Sequence, residues 1–171
     1  MRGDNVILIG MPASGKSTVG VILAKVLGYD FIDTDLLIQR REGRRLSEII
    51  EGQGIDAFLA IEEAACLSVN VDHTVIATGG SAIYSDPAMR HFKDMGRVVW
   101  LDVDYDVLEQ RLSDIQGRGV VLREGQTLKA LYDERTALYR RYADIAVPEG
   151  GGALEDTVAA VHSRVKLTMD N

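Results

Sequence analysis

Asn5–Gly10 reads NVILIG, an almost unbroken apolar run, and its glycine opens the octet Gly10-Met11-Pro12-Ala13-Ser14-Gly15-Lys16-Ser17. That junction constrains the fold more than any other feature of the chain. The run has the character of a strand buried on both faces of a parallel sheet. The octet satisfies G-x-x-x-x-G-K-[ST] in full, the pattern by which such a strand passes into a helix through a loop wrapped around phosphate. Gly10 and Gly15 let the backbone turn tightly, so that its N–H groups and the helix N-terminus face an anion. Lys16 is then set to bridge the β- and γ-phosphates of ATP or a close relative, and Ser17 to offer its hydroxyl to Mg²⁺. Ala13, Ser14 and Thr18 complete the expected nucleotide cradle.

The remainder of the chain repeats the theme. Tyr29–Asp33, Thr74–Thr78, Arg97–Asp102 and Asp144–Val147 are short β-rich runs. Ser17–Leu27, Leu46–Ile50, Ile55–Val69, Asp106–Leu112, Thr127–Tyr142 and Leu154–Leu167 carry helical spacing. In the last of these Leu154, Val158, Val161 and Val165 form one stripe. Strands interleaved with helices predict an α/β fold of three layers, a parallel sheet covered on both faces. With no repeat, low-complexity tract or linker, residues 1–171 are expected to form a single domain. The glycine-dotted, basic stretch Gln116–Gln126 is expected to be a mobile lid, spanning about 112–126.

Composition removes several classes of function. The 171 residues hold 19 basic and 26 acidic side chains, a formal net charge of −7, which opposes bulk binding of nucleic acid or acidic membrane. Any anion must therefore be caught by a local cluster. Cys66 is the single cysteine, so neither an internal disulfide nor a Cys-built zinc site is expected. No apolar run approaches the roughly 20 residues of a membrane span. The expectation is a cytoplasmic monomer whose partner is a small-molecule acceptor.

Later motifs narrow the class. Asp33-Thr34-Asp35 closes the second strand, Gly54-Ile55-Asp56-Ala57-Phe58-Leu59-Ala60-Ile61-Glu62 opens a helix, and Gly79-Gly80-Ser81 follows the third strand. Arg118 falls in the expected lid, and Arg135-Thr136-Ala137-Leu138-Tyr139 lies on the helix after it. From Val6 to about Val165 the chain resembles the shikimate kinase family. Its pattern combines the phosphate loop with D-T-D, G-E-x-x-F-R-x-x-E, a G-G-G turn, a lid arginine and R-x-P-L-Y. The resemblance implies a five-stranded parallel sheet of the nucleoside-monophosphate-kinase type and an ATP- and Mg²⁺-dependent kinase acting on a hydroxyl of a small metabolite, shikimate first among the acceptors. It further implies that Asp35 contacts the acceptor hydroxyls and orients or deprotonates the attacking one, and that Asp33 supports Mg²⁺ through water beside Ser17. Arg118 closes on the transferring phosphoryl group, Arg111 lies against adenine and Arg135 grips an acceptor carboxylate. The acceptor region is expected at about 33–62, with Leu59, Glu62, Gly79, Gly80 and Ser81 contributing.

The departures gather on the acceptor side. Leu59 stands where the family pattern has an arginine, Ser81 replaces the third glycine, Gly119 replaces a proline after the lid arginine, and Ala137 replaces the proline of R-x-P-L-Y. Leu59 leaves Glu62 without its arginine, and an unpaired carboxylate facing Arg135 would suit an acceptor with both amine and carboxylate, such as a hydroxy-amino acid. A nucleotide-binding module without catalysis is the reading from another class, though it would need neither Asp35 nor Arg135.

Overall fold

β1 (Asn5–Ile9) is buried at every residue, and a strand without an exposed face needs a layer on either side. It pairs in parallel with β3 (Thr74–Ala77) on one flank and β4 (Gly96–Val103) on the other, Ile7 standing opposite Ile76 and Val98. β2 (Asp30–Asp33) extends the sheet beyond β3, and β5 (Ile145–Glu149) extends it beyond β4. The result is a five-stranded parallel sheet in the order β2-β3-β1-β4-β5. The computed structural model describes residues 3–113, 122–149 and 151–169, apart from the side chain of Met169.

Alternation along β1 assigns its side chains to two cores. Val6 and Leu8 face α1 (Lys16–Leu27) and α8 (Leu154–Met169), where Val19, Leu23, Val158, Val161 and Val165 close the layer. Ile7 and Ile9 face the other way, toward α4 (Ile55–Leu67), α5 (Asp86–Met95) and α7 (Leu128–Tyr142). That layer packs Cys66, Met89, Phe92, Leu131 and Tyr139 on Ile76, Val98 and Trp100. A smaller cluster of Ile38, Ile49, Phe58 and Ala65 joins α4 to α2 (Thr34–Glu42) and α3 (Leu46–Gln53), beside the sheet rather than on it. α6 (Tyr105–Ser113) follows β4.

The expected strands and helices are all present, with ends shifted by one to three residues. Two helices were not anticipated. α2 buries only Thr34 and Ile38 and is rich in charge, so it has no apolar stripe to read; its start is fixed instead by Asp33, whose carboxylate accepts from the N–H groups of Asp35 and Leu36. α5 did carry signals: Ser85 caps it by accepting from Ala88 N–H, Pro87 sits in its first turn, and Ala88, Met89 and Phe92 form its buried face. Because β1 has neighbours added in opposite directions of the chain, the loops at the carboxyl ends of β1, β2 and β3 converge on one crevice, where open α/β sheets bind ligand.

Candidate active site

The loop after β1 is shaped by backbone no ordinary residue prefers. Gly10 has φ 150°, Ala13 φ 63° and Gly15 φ 87° at the N-cap of α1. A Cβ on Gly10 would lie 2.9 Å from the Leu101 carbonyl oxygen, so the loop also packs too tightly there for a side chain. Gly15 offers no capping group and the first turn of α1 holds no acidic residue, leaving its N–H groups directed at any anion that arrives. The Lys16 ammonium is buried and folds back on this loop. It donates to the carbonyls of Gly10 and Met11, each at 2.7 Å, and to Ser14 Oγ at 3.2 Å. Burial lowers its pKa to about 8, against the opposing pull of Asp35.

Two expected metal-side residues meet, since Ser17 Oγ donates to Asp33 Oδ2 at 2.6 Å. Arg111 is anchored beside the cradle: it makes a two-pronged ion pair with Glu149, at 3.0 and 2.9 Å, and donates to the Ala13 carbonyl at 3.3 Å.

A cavity of about 490 Å³ opens against the loop. Ala13, Gly15, Lys16, Ser17 and Thr18 form its phosphate end. Asp33 and Asp35 come from the β2–α2 junction, Phe58 and Glu62 from one face of α4, Gly79, Gly80 and Ser81 from the turn after β3, and Arg135 from α7. Asp35 is pushed up to about 6, first by loss of water and then by Asp33, with Lys16 opposing. Its neighbour Glu62 is buried. One oxygen accepts from Ser81 Oγ at 2.5 Å, while Oε1 has no partner among the described residues. Burial pushes Glu62 up to about 7, with the Ser81 hydrogen bond working the other way. Both carboxylates lie against bare backbone: a Cβ on Gly79 would come within 2.7 Å of Asp35 Oδ1 and clash more severely with Glu62 Oε1.

Arg135 is 1% exposed, yet no carboxylate pairs with it among the described residues. Its guanidinium lies 5.4 Å from the Tyr84 ring centroid and Nε donates to the Tyr84 hydroxyl at 3.4 Å, while Nη2 has no partner. Tyr139, one turn further on α7, stacks against Trp100 and donates to the Gly80 carbonyl at 2.7 Å, holding the turn opposite Arg135. A buried cation with an open N–H is costly unless an anion joins it.

Gly10 and Ser14 shape the loop from behind, Arg111 stands beside it on Glu149 and the Ala13 carbonyl, and the other expected residues line the cavity with two exceptions. Arg118 lies outside the described residues, as does most of the stretch expected to form a lid. Leu59 does not line this cavity. Phe58 and Glu62, four residues apart, share the face of α4 that looks into it, and Leu59 is turned about 100° away. It lines a second, smaller cavity of about 250 Å³ behind Glu62, with Cys66 and Tyr84. The expectation that Glu62 is wholly unpaired is also corrected, because Ser81, the residue in place of a glycine, supplies a partner to one of its oxygens. Arg45 and Ser47, at the start of α3, line the cavity and were missed. The signal for Arg45 was an arginine directly before the helix, where a small polar cap belongs.

The shikimate kinase family profile matches residues 12–166. The shikimate kinase of Sulfurihydrogenibium sp. (strain YO3AOP1) is 37% identical over 137 residues, covering 80% of this chain and 82% of that protein. That of Gloeobacter violaceus (strain ATCC 29082 / PCC 7421) is 35% identical over 172 residues, 96% of each. The solved shikimate kinase from Acinetobacter baumannii, in complex with shikimate, superposes with a TM-score of 0.88 at 30% identity, covering 97% of this chain and 94% of that one. With agreement in sequence and fold along nearly its whole length, the chain belongs to the shikimate kinase family, phosphotransferases that use ATP and an alcohol group as acceptor.

Proposed function

We propose that this chain transfers the γ-phosphoryl group of ATP to a hydroxyl of shikimate. The observation that carries this reading is Arg135, a buried guanidinium with an open Nη2 in the same cavity as Asp35 and the phosphate loop. A cation so placed calls for an acceptor with a carboxylate, and Asp35 calls for one with a hydroxyl. Shikimate has both, and the relative from Acinetobacter baumannii is known in complex with it.

In this reading Lys16 leaves the Gly10 and Met11 carbonyls for the β- and γ-phosphates, whose charge restores the proton affinity that burial takes away. Ser17 and Asp33, already joined and both offering oxygen, suit Mg²⁺, which would neutralise phosphate charge when bound. The acceptor oxygen bonds to the γ-phosphorus as the bond to the β,γ-bridging oxygen breaks, and ADP departs with that electron pair. The hydroxyl proton passes to Asp35, which at neutral pH is largely ionised and, being raised toward 6, is a better base than an ordinary aspartate. On the family resemblance Arg118 is assigned to the transferring group. Every group named comes from one chain, which suits a single domain acting as a monomer.

The free Oε1 of Glu62 favours a second reading, a hydroxy-amino acid whose ammonium it would receive. A coupled assay of ADP release with ATP and Mg²⁺ tests both. Release on adding shikimate, with a phosphate ester found by phosphorus NMR, is the expected result. Release with small hydroxy-amino acids but not shikimate would favour the second reading, and the absence of ADP release with every acceptor would leave only nucleotide binding.

A further inference from the structure

We infer that Arg45 is a specificity-determining residue, holding the acceptor's carboxylate from the wall of the cavity formed by the start of α3. The inference rests on the acceptor reading above. Arg45 occupies the N-cap of α3 in extended backbone, φ −72° and ψ 154°. It is badly suited to that position. A guanidinium has no acceptor atom with which to cap the helix, and its charge opposes the positive end of the helix dipole. A residue that defeats its own local structure at the rim of a ligand cavity is a mark of function rather than folding.

Further observations point the same way. Arg45 lines the cavity that also holds Arg135 and Asp35. Its side chain is exposed and makes neither a hydrogen bond nor an ion pair among the described residues. Its backbone is tied to α3, because Arg45 N–H donates to Glu48 Oε2 at 2.7 Å, while its guanidinium is left for a ligand. Among the described residues the cavity contains carboxylates from Asp33, Asp35 and Glu62, and without Arg45 only Lys16 and Arg135 to offset them. Lys16 is committed to phosphate, which among the described residues leaves Arg135 to draw an anionic acceptor into a negative cavity. The second and independent sign of a ligand is Arg135 itself, more than nine-tenths buried and with Nη2 unpartnered. α4 supplies no cation to this cavity, since Phe58 and Glu62 are its lining residues. Arg45 reaches from the neighbouring helix to supply it.

The test compares wild type with Arg45→Ser and Arg45→Lys by steady-state kinetics, by calorimetric titration of shikimate and by thermal melting. Serine is a favoured cap, so Arg45→Ser is expected to melt at the same temperature or higher while raising KM and Kd for shikimate about tenfold. Its kcat and its KM for ATP are expected to stay within about twofold of wild type, because the contact forms before and during transfer. Arg45→Lys recovers part of the loss, and shikimate methyl ester, without the charge, binds wild type and Arg45→Ser alike. A folded Arg45→Ser protein with unchanged KM and Kd, or one impaired only in kcat, overturns the inference. Wild type that neither binds nor phosphorylates shikimate overturns the acceptor reading and this inference with it. Should Arg45→Ser not fold, Arg45→Lys decides by the same split, since lysine keeps the charge but loses the two-pronged geometry.

Discussion

The phosphate end and the acceptor end of this cavity are built on different principles. The phosphate end is almost entirely backbone, taken from nine consecutive residues whose φ values and missing side chains create it. Its buried charged side chain, Lys16, rests on that same loop. The acceptor end is made of side chains drawn from α2, the start of α3, α4, the turn after β3 and α7. The unpartnered buried atoms of Glu62 and Arg135 sit there. A loop of backbone amides tolerates little variation, since any change of shape loses the anion site at once. A wall of side chains can be altered one residue at a time, and Ser81, where the family pattern has a glycine, lies in that wall.

The sharpest way to break the contrast is at Lys16. Lys16→Ala is expected to lower kcat on the order of 10²–10³-fold with any acceptor, since it removes a charge aimed at the transferring group. The fold should survive, because burial already opposes this charge. Retained turnover in a purified variant with an unchanged melting curve would show that the loop is not the phosphate end.

Arg135→Met separates the ends from the other side. It removes the buried cation while keeping apolar bulk, so binding of shikimate should weaken by roughly 2–5 kcal/mol, tens- to thousands-fold in KM. KM for ATP should hardly change. Stability should hold or rise, because an unpaired buried cation is replaced by a side chain suited to its surroundings. Equal damage to both Michaelis constants would mean that the two ends are not independent.

How far each end could be read from sequence follows from the same difference. A contiguous loop is written contiguously, so Gly10 to Thr18 was legible with its flanking strand and helix. Asp33, Asp35 and Arg135 were legible through resemblance, but their meeting depends on the strand order, which no local pattern encodes. Leu59 was misplaced because a motif gives spacing and not rotation: one residue along α4 separates the cavity face from the face behind it. Arg45 was overlooked because it belongs to no family motif, although its misfit as a helix cap could be seen. α2 escaped for lack of an apolar stripe, being held by Asp33 rather than by burial.

Glu62→Gln tests whether the acceptor end carries a cost in stability. The folded value of Glu62 is raised to about 7, so between the ordinary glutamate range and 7 the folded protein holds a proton that the unfolded chain has lost. Stability attributable to this group is therefore present at low pH and lost as pH rises toward 7. Glutamine keeps a partner for Ser81 and removes the charge. The melting temperature at pH 8 should rise on the order of 5 °C, and the gain should shrink as the pH is lowered toward 4.5. The same gain at pH 5 and pH 8 would mean that Glu62 is not carrying a buried charge.

The smallest effect is expected at Leu59, and it decides whether the acceptor end stops at Glu62. Leu59 is half-buried, packs beside the Ile38, Ile49 and Phe58 cluster and lines the cavity behind Glu62. If recognition is confined to the first cavity, Leu59→Ala removes packing and nothing else. Stability should fall by about 1–2 kcal/mol, less than for a fully buried leucine, and both Michaelis constants should stay within about twofold of wild type. Leu59→Arg would place a guanidinium near Glu62 and Glu63, which both line that second cavity. It would act on the acceptor only by drawing Glu62 away from Ser81, so a change of a few-fold in KM for shikimate is the expected ceiling. A tenfold change in that constant from Leu59→Ala, with kcat and KM for ATP intact, would show that the two cavities work as one acceptor site. Leu59 would then belong to specificity after all, and Glu62 would be a partition inside the site rather than its wall.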